Sequence, residues 1–170
     1  PMEMQMPVEE CGNMLIMAAS VAVAQGNTSF IREHIDVLEQ WAKYLIEYGQ
    51  DPENQLCTDD FAGHLAHNCN LSLKAIMGLA GLSIIFRMLG AKRKAESYLK
   101  KAREMARVWL DTAKNGDGSY RLAFDREGTF SLKYNAVWDK LFGTGIFPAE
   151  AIQSELASYF RHVNPYGMPL

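Results

Sequence analysis

Apolar positions along the chain fall into helical blocks separated by glycine, proline and asparagine, and the blocks alternate in character. Residues 10–25 read as a first helix closed by Gly26, and a second, capped by Asn27 or Thr28, runs to Tyr48 and ends at Gly49. A polar loop with Asp51-Pro52 leads to Thr58, an N-cap candidate with Asp59 and Asp60 in the turn after it. From Thr58 the spacing predicts a third helix to Leu89, with a break near 68–70. A fourth covers 91–114. Two alternating runs, Tyr120/Leu122/Phe124 and Phe130/Leu132/Tyr134, flank Asp125-Arg126-Glu127-Gly128 and predict one small β-hairpin. Residues 135–144 give a short fifth helix, and Pro148 opens a sixth that runs to Val163.

The first and third helices are apolar almost all round. Residues 14–24 contain Ser20 as their single polar side chain, and 75–86 carry no charge. The second and fourth are amphipathic and charged. A helix apolar on every side must be enclosed by protein on every side. Alternation of this kind predicts an all-α domain of αα-hairpins, with inner helices ringed by outer ones. Three hairpins fit in 170 residues, and three make only an arc.

Composition narrows the function classes. Hydrophobic residues at 48% and charged residues at 22% exclude a disordered chain. A net charge of −3 argues against a general nucleic-acid binder. Neither long uncharged run reaches the roughly 20 residues of a membrane span. Three cysteines, Cys11, Cys57 and Cys69, are too few and odd in number for a disulfide framework, and all three are expected to be free. The chain opens at Pro1 and stops at Leu170 without tails, which fits residues 1–170 being one helical domain cut from a larger protein. The missing leader then says nothing of compartment.

Four polar clusters sit where helices or turns begin. In Val8-Glu9-Glu10-Cys11-Gly12-Asn13, two adjacent carboxylates suit general acid–base work, although helix dipoles alone also favour acids there. In the stretch 58–68, Asp60, His64 and His67 stand at i, i+4 and i+7, with Asn68 four residues after His64. A helix would put them on one face, where a carboxylate orients a histidine. Their spacing is not that of a zinc protease, and no metal or cofactor is expected. Asp125 occupies the hairpin turn, a common structural place for aspartate. In Tyr134-Asn135-Ala136-Val137-Trp138-Asp139-Lys140, Asn135 and Asp139 share a face beside a tryptophan that could stack on a polar ring or simply pack in the core. The starts of the inner helices are expected to meet at one end of the arc.

The runs 7–14, 54–68 and 133–140, supported by Leu122-Ala123-Phe124-Asp125-Arg126 and the terminal 164–170, resemble the glutaminase A family in its six-helical-hairpin region. The resemblance implies part of an (α/α)6 toroid in a secreted, periplasmic or cell-surface multi-domain protein. It implies hydrolysis of glutamine to glutamate and ammonia. With no serine or cysteine nucleophile in evidence, a carboxylate would activate water and a second acid would protonate the leaving ammonia. Glu9, Glu10, Asp59 and Asp60 are the catalytic candidates, with His64 as an alternative base. Asn13, His67, Asn68, Asp125, Tyr134, Asn135, Trp138, Asp139 and Lys140 are candidates for substrate binding. Two alternatives stand beside this: a six-hairpin glycoside hydrolase, which also needs two carboxylates, and a non-catalytic helical binding module. Expected partners are a small polar substrate (glutamine or a saccharide), the remaining domains of the same polypeptide, and a second copy of the chain.

Overall fold

The computed structural model describes residues 4–58 and 64–169. Among them it is all-helical: α1 (Pro7–Gln25), α2 (Ser29–Arg32), α3 (Ile35–Tyr48), α4 (Cys69–Met88), α5 (Lys92–Thr112), a 3-10 turn (Tyr134–Ala136), α6 (Val137–Phe142) and α7 (Ala149–His162).

α4 is the centre of the domain. Its flanks meet α1, α3, α5, the 3-10 turn and α6, so every side is enclosed and residues from Cys69 to Ser83 are buried without a gap. By length and composition α4 would suffice to cross a membrane, and here the protein itself surrounds it. Glycines let the helices approach. A Cβ on Gly78 would lie 3.3 Å from the Gly12 Cα, and one on Gly49 would meet the Ala75 Cβ at 2.5 Å. The charged helix α5 lies outside, burying Ala95, Ala102, Met105, Ala106 and Trp109. The indole of Trp109 donates to the Cys69 carbonyl at 2.8 Å, satisfying one polar group of each in the core.

Three expectations change. Residues 64–68 are loop where a helix was expected, and α4 begins at Cys69, because Asn68 is its cap: its Oδ1 accepts the Leu71 N–H at 2.8 Å. The helix expected from 28 to 48 breaks at Glu33-His34 into α2 and α3. No strand forms among the described residues. Tyr120 bridges back to Lys114, and Ala123 bridges to Asn68, so the expected pairing of 120–124 with 130–134 is replaced by isolated bridges. The physical reason is competition. Thr129 and Gly128 are drawn instead to Asn115, whose Nδ2 donates to the Thr129 carbonyl and whose Oδ1 accepts the Gly128 N–H. α7 is fastened to this same loop region, through Ser154 to the Gly118 carbonyl, Arg161 to Asp117, and Glu155 to the Tyr120 N–H.

Candidate functional site

The start of α1 carries the adjacent carboxylates, and the fold separates them. Glu9 turns into the protein and is 3% exposed, whereas Glu10 faces outward. The Glu9 Oε1 accepts hydrogen bonds from the Lys74 ammonium, from Thr58 Oγ1 at 2.6 Å and from Asn13 Nδ2 at 3.5 Å. Lys74 comes from α4 and is itself buried. The loop that carries Thr58 is held beside α1 by two further bonds: Val8 N–H to Gln55 Oε1, and Leu56 N–H to the Gln5 carbonyl. A buried carboxylate with a cationic partner and two polar neighbours is thus assembled from three separate segments. Asp59 and Asp60, directly after Thr58, lie outside the described residues.

A second group forms where the chain enters α4. His67 sits at φ 63°, in the left-handed region that non-glycine residues rarely adopt. It is tied down on three sides: its N–H donates to the Pro52 carbonyl, its carbonyl accepts from Phe124, and its Nδ1 lies 2.8 Å from Asp51 Oδ1. The hydrogen bond to Asp51 raises the His67 pKa above its ordinary value, and the charges of Asp51 and Asp125 add to that. Of the predicted residues, His67 and Asp125 are thus near enough for the aspartate's charge to act on the imidazole, whose hydrogen-bond partner is Asp51. Asp51 was not predicted, and its only sequence signal was an Asp-Pro turn. His64 is exposed in the loop and His67 lies in a turn, so these two share no helical face; Asp60 lies outside the described residues. Asn68 is the helix cap, with its amide also near Cys57 Sγ at 3.7 Å.

The third group divides. Asn135 joins the start of α4, its N–H reaching Asn70 Oδ1 at 3.3 Å and its Nδ2 the Asn70 carbonyl at 3.1 Å. Asp139 instead folds onto its own loop, accepting from Thr144 Oγ1 and from the N–H groups of Ile146 and Phe147. It holds the turn after α6, while Asn135 is bound to Asn70. Trp138 packs against Phe142 with ring centres 5.3 Å apart, as a core side chain does. Tyr134 and Lys140 line a cavity of about 960 Å³ whose walls include Trp109, Tyr120, Phe147 and Leu156. Of the residues expected to share one end, Glu9 meets α4 at Lys74 and Asn135 meets it at Asn70, whereas Asp139 is bound within its own loop and Asp59 and Asp60 lie outside the described residues.

Cys11, Cys57 and Cys69 form no disulfide. Burial pushes the Cys69 thiol up to about 12. Burial and the neighbouring Glu10 raise that of Cys11, so neither is an activated nucleophile. Lys74 is the functional-cluster residue that sequence reasoning missed. It is the one cation in the first half of an apolar run, 69–86, which was its available signal. No group of His, Cys, Asp and Glu able to hold a metal ion occurs among the described residues.

Comparison with known proteins agrees with this geometry's sequence motifs. The model of the glutaminase A six helical-hairpin domain matches residues 2–170. Glutaminase A of Aspergillus oryzae is 32% identical over 169 residues, covering 98% of this chain and 24% of its own. A probable glutaminase of Arthroderma benhamiae is 28% identical over 200 residues, covering 80% of this chain and 22% of its own. The chain thus spans about a quarter of the length of these curated relatives. No solved structure matches it. Over nearly its whole length, the chain belongs to the glutaminase A six helical-hairpin family.

Proposed function

We propose that this chain is the helical part of a glutaminase-type amidohydrolase, and that Glu9 is the carboxylate that activates water. One observation carries the reading. Of the adjacent pair, Glu9 alone is buried, and it is held by Lys74, Thr58 and Asn13 in a chain related to glutaminase A. A general base must be oriented before it can take a proton in the transition state, and three donors on one oxygen supply that orientation. Water then adds to the side-chain amide carbon of glutamine as Glu9 takes its proton. The tetrahedral intermediate collapses with cleavage of the C–N bond, and a second acid delivers a proton to the departing ammonia. Asp59, Asp60 and His64 are the candidates for that acid, and Glu10 stands as the exposed alternative. The chain needs no cofactor for this chemistry.

The same reading places the domain in a closed toroid. Two packed helix pairs, α1 with α3 and α4 with α5, and the further helices α6 and α7 stand among the described residues, where the family description speaks of six hairpins. The exposed stripe Met14/Met17/Val21 of α1, and Val137, Leu141, Leu156 and Phe160 of α6 and α7, are edges for further hairpins of the same polypeptide to cover. Secretion or display at the cell surface goes with this assignment. Trp138, half-buried and packed on Phe142, gives the saccharide reading no support beyond what the amide reading has.

The test is ammonia release from glutamine by the complete translation product, with a glycan panel alongside. Glutamine hydrolysis that falls at least about 100-fold in Glu9→Gln, with the fold retained, supports the proposal. Hydrolysis of glycans and not of glutamine would replace it with the glycosidase reading. Turnover of neither would leave a binding module.

A further inference from the structure

The domain contains two buried lysine–glutamate pairs, and they are built differently. The Lys133 ammonium lies 3.3 Å from Glu155 Oε1 and also donates to the Tyr120 carbonyl, the Ser131 carbonyl and Ser131 Oγ. The other oxygen of Glu155 accepts the Tyr120 N–H at 3.0 Å. That network closes on itself and joins α7 to the loop before the 3-10 turn. The Lys74–Glu9 pair is not closed in this way. Among the described residues Glu9 is the acceptor for the Lys74 ammonium, and the donors to Glu9 all converge on Oε1.

The route of the lysine is also built. Its stem crosses α1 at Gly12, where a Cβ would stand 2.7 Å from the Lys74 Cγ and 3.3 Å from its carbonyl oxygen. Only a residue without a side chain leaves that passage open, and Glu9 lies one turn earlier on the same helix. Glycine, lysine and glutamate thus form one unit across the α1–α4 contact. We propose that Lys74 is a positioning residue for Glu9: its ammonium holds Oε1, so that Oε2 keeps a constant direction for the water it activates. This rests on the reading of Glu9 as the water-activating carboxylate.

The experiment measures kcat and KM for glutamine in the complete translation product for Glu9→Gln, Lys74→Met, Lys74→Arg, Gly12→Ala and the Glu9→Gln/Lys74→Met double variant, with a thermal melt of each. Misplacing a reacting group by about an ångström costs on the order of 100-fold. Lys74→Met is therefore expected to lower kcat about 100-fold with KM changed less than about threefold, and Lys74→Arg to recover most of the loss. Gly12→Ala displaces the stem without changing charge and should lower kcat about tenfold. Because Lys74 acts through Glu9, adding Lys74→Met to Glu9→Gln should lower kcat no further. If Glu9→Gln abolishes turnover while Lys74→Met and Gly12→Ala leave kcat intact, or if the two losses multiply, the positioning role is wrong and the reading of Glu9 survives. If wild type releases no ammonia, or Glu9→Gln remains active, the reading of Glu9 falls and takes this assignment with it. Should Lys74→Met fail to fold, Gly12→Ala and Lys74→Arg decide the question by the same kcat criterion.

Discussion

α1 and α4 are the two long apolar helices, and neither has a clear polar face. Their fates differ. α4 is covered on all sides, while α1 buries Val8, Glu9, Gly12, Leu15, Ile16, Ala19 and Ala22 and leaves Met14, Met17, Val21 and Val23 exposed. Met17 is 55% exposed, against 0% for Leu79. The same kind of sequence signal thus states a demand for enclosure, and position in the fold decides whether this stretch of chain meets it. α4 meets it because α1, α3, α5, the 3-10 turn and α6 all pack around it. α1 lies at an edge.

The two helices also begin differently. α1 starts at Pro7 with no side-chain cap, relying on proline's preset backbone. α4 starts at a capped Asn68 behind a histidine held in an unusual conformation.

The sharpest way to break the comparison is truncation. Leu79→Ala in α4 should lower the unfolding free energy by about 2–5 kcal/mol, through lost burial and a cavity. Met17→Ala in α1 should change it by less than about 0.5 kcal/mol. Chemical denaturation of the 170-residue chain checks both, and equal costs would mean that α1 is covered after all. Next in size, Gly78→Ala should cost about 1–3 kcal/mol, because the new methyl meets both Leu45 and the α1 backbone at Gly12. Gly116→Ala, with nothing within 4 Å, is its near-neutral control. Asn68→Ala removes the cap of α4 and should cost about 1 kcal/mol, while Met6→Ala, at a start with no side-chain cap, should cost close to nothing.

The smallest effect is a pH dependence at the entry to α4. The His67 pKa is raised in the folded chain, so its contribution is fully present below the ordinary histidine pKa of about 6.5 and is lost as pH rises through the raised value. Histidine resonances followed by NMR across that window should show His67 titrating above the ordinary value, and Asp51→Asn should lower it. An unchanged titration in Asp51→Asn would separate the histidine from its partner and undo this part of the contrast.

Much of the fold was legible from the chain. Gly26, Gly49 and Gly90 stand at or next to the ends of α1, α3 and α4, because glycine tolerates the left-handed or close-packed backbone that a helix end needs. The start of α4 was misread because Thr58 and Asn68 are both good caps, and local propensity cannot rank two caps ten residues apart. Alternation in 120–134 predicts strand pairing that does not form, because Asn115 and Glu155 claim that loop's backbone groups from distant points of the chain. Among site residues, Glu9 was legible as half of an acidic pair. Its distinction from Glu10 was not, since one step along a helix turns a side chain by about 100° and only packing says which direction is inward.

By itself the sequence determined the helical class, the alternation of enclosed and exposed helices, the unbridged cysteines and the family. These follow from periodicity, turn residues and motif, which are local properties of the chain. The tertiary structure alone decided that Lys74 reaches Glu9 across Gly12, that Asp51 pairs with His67, and that Asp139 holds its own loop. Each of those partnerships depends on which segments the packing of α4 brings side by side, and electrostatic and hydrogen-bonding partners separated by up to 65 residues leave no periodic trace for a reader of the chain to find.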